Sequence, residues 1–260
     1  MKKDVALVLS SGSSRGFAHI GAIQALEERG YRITSVAGCS MGAIVGGMYA
    51  AGKLPELTAW FAEMNRRRML ELTDFSLNTH YLVKGERIMD ALGELIPDVQ
   101  IEDLPIPLAL VSTDMRTGNE VVFRSGNLNR AIRASFSIPV VLKPVREGNM
   151  LLMDGGIVNP LPLNRVVRHE NDILVSSNVS GKWVKPQDKL SALSILDKVS
   201  DVMLQQHGEL MKLLCPPDIS IDIATNQFGS FDYDRIDEIS RFGYLKMLAA
   251  IDAYENTFAG

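Results

Sequence analysis

Ser35-Val36-Ala37-Gly38-Cys39-Ser40-Met41-Gly42 passes from a short apolar strand signal, through a glycine-flanked turn, into a helical pattern over residues 41–51. Upstream, Val5-Ala6-Leu7-Val8-Leu9-Ser10-Ser11-Gly12-Ser13-Ser14-Arg15-Gly16 makes the same passage into a helix over residues 18–29. Ala22, Ile23 and Leu26 supply part of that helix's apolar face, and Gly30 provides its stop. A short, almost wholly apolar run is the mark of a strand buried on both faces. Two strand–turn–helix units within about fifty residues predict an α/β protein of parallel layer architecture.

Working outward, Pro55 opens a helix to residue 68, and residues 86–95 form another. Strands are predicted over 107–113 and 120–124 around Thr117-Gly118-Asn119, followed by a helix over 127–135. Residues 140–145 and 150–153 read as a hairpin over Glu147-Gly148-Asn149. A strand at 172–177, a helix at 190–214 stopped by Pro216-Pro217, a strand at 219–223 and a helix at 235–254 complete the chain. No repeat or low-complexity linker interrupts, so residues 1–260 are read as one domain.

Hydrophobic residues make up 46% and charged residues 22%, which excludes a disordered chain. The net charge of −4 offers no basic field for nucleic acid. Cys39 and Cys215 alone cannot build a disulfide framework or a four-ligand zinc site. Residues 33–52 are uncharged and long enough to span a bilayer, but five glycines, Thr34, Ser35 and Ser40 lower their apolarity. With no adequate apolar run before Ser10, a signal peptide is not expected and the location reads as cytoplasmic.

Gly38-x-Ser40-x-Gly42 between strand and helix is the strongest chemical signal. A serine on such a turn projects its hydroxyl, and the helix beginning at Met41 aims unpaired N–H groups at the same place. The bland alternative is a tight turn that needs a small residue. The Ser10–Gly16 stretch can cradle an anion on successive N–H groups, or simply connect. It lacks both G-x-G-x-x-G and Gly-Lys-Ser/Thr, so an oxyanion hole suits it better than a nucleotide. Asp154-Gly155-Gly156 alone reads as a turn.

Gly12–Gly16 leading into Ala18-His19-Ile20-Gly21, then Gly38-Cys39-Ser40-Met41-Gly42, then Asp154-Gly155-Gly156, resemble the patatin-like phospholipases. Ala134-Ser135-Phe136-Ser137-Ile138-Pro139 and Asn159-Pro160 are similar to that family's flanking stretches. The likeness is strong from residue 5 to 162, and the size resembles the short, single-domain bacterial members. The resemblance implies a patatin-like α/β fold, three α/β/α layers with a mainly parallel central sheet, and a serine–aspartate dyad without histidine. Ser40 would be the nucleophile and Asp154 its base. Backbone around Gly12, Ser13 and Ser14, adjoined by Arg15 and by Met41, would form the oxyanion hole. One departure stands out: Ser11 and Ser13 occupy positions where the family usually has glycine, so any φ > 0 there is harder to meet.

The activity so implied is hydrolysis of carboxylic ester bonds of lipids, phospholipid or lysophospholipid in type, through an acyl-serine. The alternative is a patatin-fold regulator that binds lipid or protein with little turnover. A histidine-dependent esterase is the third reading, with His19 the main competitor among His19, His80, His169 and His207. Arg15 is expected to brace its loop, and Cys39 to point away from the site as packing. No cofactor or metal is expected. Trp60, Phe61, Met64, Met69, Leu70, Leu72, Phe75 and Leu77 surround Arg66-Arg67-Arg68. This segment reads as core plus solvated arginines rather than a lid, leaving at most a transient membrane-surface contact. No sequence signal sets an oligomeric state, a homo-oligomer included.

Overall fold

The computed structural model describes residues 3–64, 71, 86–139, 141–182 and 192–258. Its strands are β1 (Asp4–Leu9), β2 (Arg32–Cys39), β3 (Leu108–Asp114), β4 (Asn119–Phe123), β5 (Val145–Glu147), β6 (Met150–Asp154), β7 (Ile173–Gly181) and β8 (Ile219–Ala224). They form one sheet in the order β5-β6-β3-β2-β1-β7-β8, with β4 attached to β3. The run from β3 to β8 is parallel throughout, while β4, β5 and β6 pair antiparallel at the other end.

Alternation along β1 assigns the layers. Val5, Leu7 and Leu9 join the larger core with α1 (Phe17–Glu28), α2 (Met41–Ala50) and α7 (Ile236–Asn256). Ala6 and Val8 face the opposite side, where Leu161, Leu163 and Met211 of α6 (Ala192–Leu214) cover them. Helices therefore lie on both faces, as the family resemblance implied. Removing a fully buried side chain such as Leu7 by substitution with alanine would cost about 2–5 kcal/mol. The uncharged stretch 33–52 divides into β2, a turn at Ser40 and α2. Among the described residues no helix is long and apolar enough to cross a membrane.

Several boundaries differ from expectation. β7 continues past Ser177 to Gly181 because its polar residues find cross-strand partners: Asn178 Nδ2 donates to Asp222 Oδ1 at 2.7 Å, and the Ser176 and Ser220 hydroxyls meet at 2.7 Å. The hairpin's first strand is only Val145–Glu147, and its turn is Gly148-Asn149, with Gly148 at φ 55°. The helix opened by Pro55, α3 (Leu54–Ala62), ends before the arginine run. Trp60, Phe61 and Met64 belong to the core. The rest of the arginine-flanked segment lies outside the described residues. Helices α4 (Glu86–Gly93) and α5 (Leu128–Ser135) complete the chain, the latter capped by Asn127, whose side chain accepts from Arg130 N–H at 3.0 Å.

Strand register positions the site. β4 pairs with Leu110–Asp114 along one edge of β3. The other edge is shared: β2 occupies it through Val111, opposite Cys39, and β6 takes over at Ser112, opposite Asp154. Because β2 runs parallel to β3 and β6 antiparallel, their C-terminal ends converge head to head. The residue after Cys39 is Ser40.

Candidate active site

At the end of β2 the backbone turns sharply. Ser40 adopts φ 56° and ψ −121°, a conformation that costs a non-glycine residue on the order of 1–3 kcal/mol. The surroundings hold it there. Its N–H donates to Ser135 Oγ (3.0 Å), and Ser135 in turn donates to Val111 O (2.6 Å). Its carbonyl accepts from Ala43 and Ile44 N–H at 2.9 and 3.1 Å, starting α2. Gly42 must lack a side chain, since a Cβ there would stand 2.3 Å from Leu9 O.

Ser40 Oγ donates to Asp154 Oδ2 at 2.5 Å. Asp154 Oδ1 accepts from Gly156 N–H at 2.8 Å. The aspartate's own backbone is fixed on both sides, its N–H donating to Ser137 O and its carbonyl accepting from Thr113 Oγ1, each at 2.9 Å. A Cβ on Gly155 would reach Val111 O at 2.3 Å, so the Asp-Gly-Gly turn lies pressed against β3. Ser40 is 1% exposed and Asp154 5%. Burial pushes the Asp154 carboxyl up to about 6, against the opposing pull of hydrogen bonds from Ser40, Gly156 and Cys39.

Cys39 does not point away from the site as expected. Its thiol contacts Asp154 Oδ1 at 3.9 Å. Burial, followed by the Asp154 charge, pushes that thiol well above its ordinary value and keeps it a protonated, unreactive donor. His19, on α1, is fully buried over the C-terminal ends of β1 and β7. Its Nε2 faces Ser10 O at 3.0 Å and its Nδ1 faces Ser177 Oγ at 2.8 Å. A carbonyl only accepts, so Nε2 carries the proton and Nδ1 accepts from Ser177. Burial lowers the imidazole to about 4. Both ring nitrogens are thus committed within the sheet, and among the described residues Ser40 Oγ has Asp154 as its hydrogen-bond acceptor.

The Gly-rich loop forms a 3-10 turn over Ser13–Gly16. Ser13 carries φ 52°, the left-handed conformation that its family-typical glycine would adopt at less cost. Among the described residues the N–H groups of Gly12, Ser13 and Met41 meet no backbone acceptor, Ser13 and Met41 being first residues of their turns. Ser14 N–H faces Ser230 O at 3.4 Å, and Arg15 N–H donates back to Gly12 O at 3.2 Å. The Arg15 side chain is 2% exposed and engages Asp201 Oδ1 of α6 (2.7 Å) and Thr225 O (2.8 Å). Ser11 N–H donates to Pro160 O at 2.8 Å, tying the loop to the Asn159-Pro160 stretch. The supports Ser135, Ser137, Thr113 and Asp201 carry no spacing signal in the sequence; only the folded register brings them in.

A family model of patatin-like phospholipases matches residues 7–167. The chain belongs to the patatin-like phospholipase family. This patatin-like chain is 44% identical over 182 residues to an uncharacterised NTE family protein of Mycobacterium tuberculosis, covering 70% of itself and 51% of that protein. It is 35% identical over 165 residues to patatin-like phospholipase domain-containing protein 6 of Mus musculus, covering 61% of itself and 12% of that relative. It therefore spans about half the length of the mycobacterial relative and far less of the mouse one. VipD from Legionella pneumophila shares the fold, with a TM-score of 0.55 at 15% identity over 97% of this patatin-like chain and 67% of that structure. Membership supports a hydrolase acting on lipids as the type of function.

Proposed function

We propose that the protein is a serine acyl hydrolase that cleaves carboxylic ester bonds of lipids, with Ser40 as nucleophile and Asp154 as general base. The 2.5 Å contact between their side chains carries this reading. Ser40 Oγ attacks the ester carbonyl while its proton passes to Asp154 Oδ2. The forming oxyanion takes N–H donors from Gly12, Ser13 and Met41. Collapse expels the alcohol, which receives the proton from Asp154. Water then loses a proton to Asp154 and attacks the acyl-serine, and Ser40 departs with that proton.

Energetics favour concerted transfer. With water's pKa of about 15.7 standing in for the serine hydroxyl, full transfer to an ordinary aspartate costs on the order of 16 kcal/mol. Raising Asp154 to about 6 removes roughly 3 kcal/mol of that mismatch while leaving most of the carboxyl ionised at neutral pH.

Lipid as substrate class rests on family membership and on α6. Ile195, Val199, Val202, Leu210, Leu213 and Leu214 of that helix are exposed. At 100° per residue they fall within an arc of about 120°. The same helix carries Leu204 against Gly156, beside Asp154. An apolar stripe on a helix that packs against the turn holding Asp154 suits a transient lipid-surface contact. The competing reading, a lipid or protein binder with little turnover, draws on the strained Ser13.

Intact-protein mass spectrometry after brief exposure to a panel of lipid esters tests the proposal. A Ser40-dependent acyl adduct, absent from Ser40→Ala, is the expected result. Lipid binding with neither adduct nor turnover across the panel would favour the binder instead.

A further inference from the structure

A cleft of about 270 Å³ opens beside the Gly-rich loop, apart from Ser40 and Asp154. Arg15, Lys198, Asp201, Thr225, Ser230 and Arg235 are among its walls. Three of these are cations and one is a carboxylate, already engaged by Arg15. Arg235 holds Asp232 and Glu238 as well. Two polar groups here have no hydrogen-bond partner among the described residues although both are buried: Arg15 Nε, on a side chain 2% exposed, and Thr225 Oγ1, on a residue 3% exposed. An unmade hydrogen bond on a buried guanidinium is costly, and such groups are kept where a ligand completes them.

We propose that this cleft binds a phosphate group. A free phosphate brings up to two negative charges and a phosphodiester one, and the acceptor oxygens of either match the Arg15, Lys198 and Arg235 side chains, the orphaned N–H and the hydroxyl. The volume lies just below the usual range for small-molecule sites, which suits a phosphate with a small polar substituent and not an acyl chain. The cleft also shares its wall with the loop. Ser14 Oγ donates to Gly229 O at 2.8 Å, and Gly229 and Ser230 line the cleft. Lys198 and Asp201 lie on α6, the helix that reaches Gly156. A bound phosphate would therefore join the 225–235 segment to the Gly-rich loop and α6, both of which touch the turns holding Ser40 and Asp154.

The phosphate is either free or the head group of a lipid, and titration separates the two. Full-length Ser40→Ala protein, which cannot turn over an acyl-serine, is titrated calorimetrically with inorganic phosphate and with glycerophosphocholine. Sodium chloride at matched ionic strength is the blank, and thermal midpoints are read in parallel. Saturable binding with a raised midpoint is expected for at least one ligand, weakened tenfold or more by Lys198→Met and by Thr225→Val. Binding of inorganic phosphate assigns a free anion; binding of the glycerophosphodiester alone assigns a head group. The second variant serves should the first not fold. No saturation by either ligand up to about 10 mM, or binding unchanged in both variants, overturns the proposal. Because no hydrolysis is measured, the outcome does not depend on the proposed esterase chemistry.

Discussion

Ser40 Oγ and Asp154 Oδ2 stand 2.5 Å apart although 114 residues separate them. Strand register brings them together: Cys39 and Asp154 are opposite the adjacent β3 residues Val111 and Ser112. The pair is thus held by backbone ladders, and a one-residue slip of β6 would turn the carboxylate to the other face.

Holding that carboxylate in a buried site destabilises the fold. Its folded value stands near 6 against 3.8 for an ordinary aspartate, so the folded state binds the proton more tightly. Stability from this group is complete below about pH 3.8 and is lost as pH rises through 6, by about 3 kcal/mol in all. Asp154→Asn cannot ionise and escapes that loss. At pH 7.5 it is expected to unfold at higher denaturant than the wild type, by up to about 3 kcal/mol, with the gap narrowing toward pH 5. Ester hydrolysis in the same variant should fall by about 10²–10⁴.

The pH dependence of kcat/KM reports the same group. Activity needs the ionised base, so the rate should climb tenfold per unit below about pH 6 and level off above it. An assay with an uncharged soluble ester between pH 4.5 and 9 measures this. An inflection that moves when a histidine is replaced would contradict an aspartate base.

His19 has the environment of a structural residue. His19→Ala forfeits the Ser10 and Ser177 hydrogen bonds and leaves a cavity between α1 and the ends of β1 and β7. A stability loss of about 2–4 kcal/mol is expected in urea. Turnover of the folded fraction should stay within about tenfold of wild type, against the roughly 10⁴ that disabling a catalytic histidine costs.

Ser13 offers the opposite experiment. Its φ of 52° is easy for glycine and strained for serine. Ser13→Gly relieves that strain but makes the unfolded chain freer, so the net change should lie between neutral and about 1 kcal/mol stabilising. Its N–H is retained, and esterase activity should be kept. A large loss of activity would mean that the side chain, not only the backbone, takes part.

The apolar runs at Val5–Leu9 and Ser35–Ala37 mark the sheet, and the Gly38-x-Ser40-x-Gly42 turn marks Ser40, whereas Asp154, in a turn that alone carries no chemistry, stands out only through the family resemblance. What escaped is what depends on distant partners. Polar Asn178 reads as a strand end, yet Asp222 on β8 satisfies it and β7 continues. Arg15 finds Asp201 186 residues away, and Ser135 supports Ser40 from 95 residues away. Neither pairing leaves a periodicity to detect. Cys39 departs from expectation because the end of β6 lies within reach of the last residue of β2, which brings its thiol to Asp154.

The most direct measurement is the rate at which a fluorophosphonate attaches covalently to intact protein at pH 7.5, followed by mass spectrometry in wild type, Ser40→Ala, Asp154→Asn and His19→Ala. One adduct on Ser40 is predicted, abolished in Ser40→Ala, slowed by about 10²–10⁴ in Asp154→Asn and nearly unchanged in His19→Ala. Labelling that persists in Ser40→Ala, or that survives loss of Asp154 and disappears with His19, would contradict a reacting pair made of one serine and one aspartate.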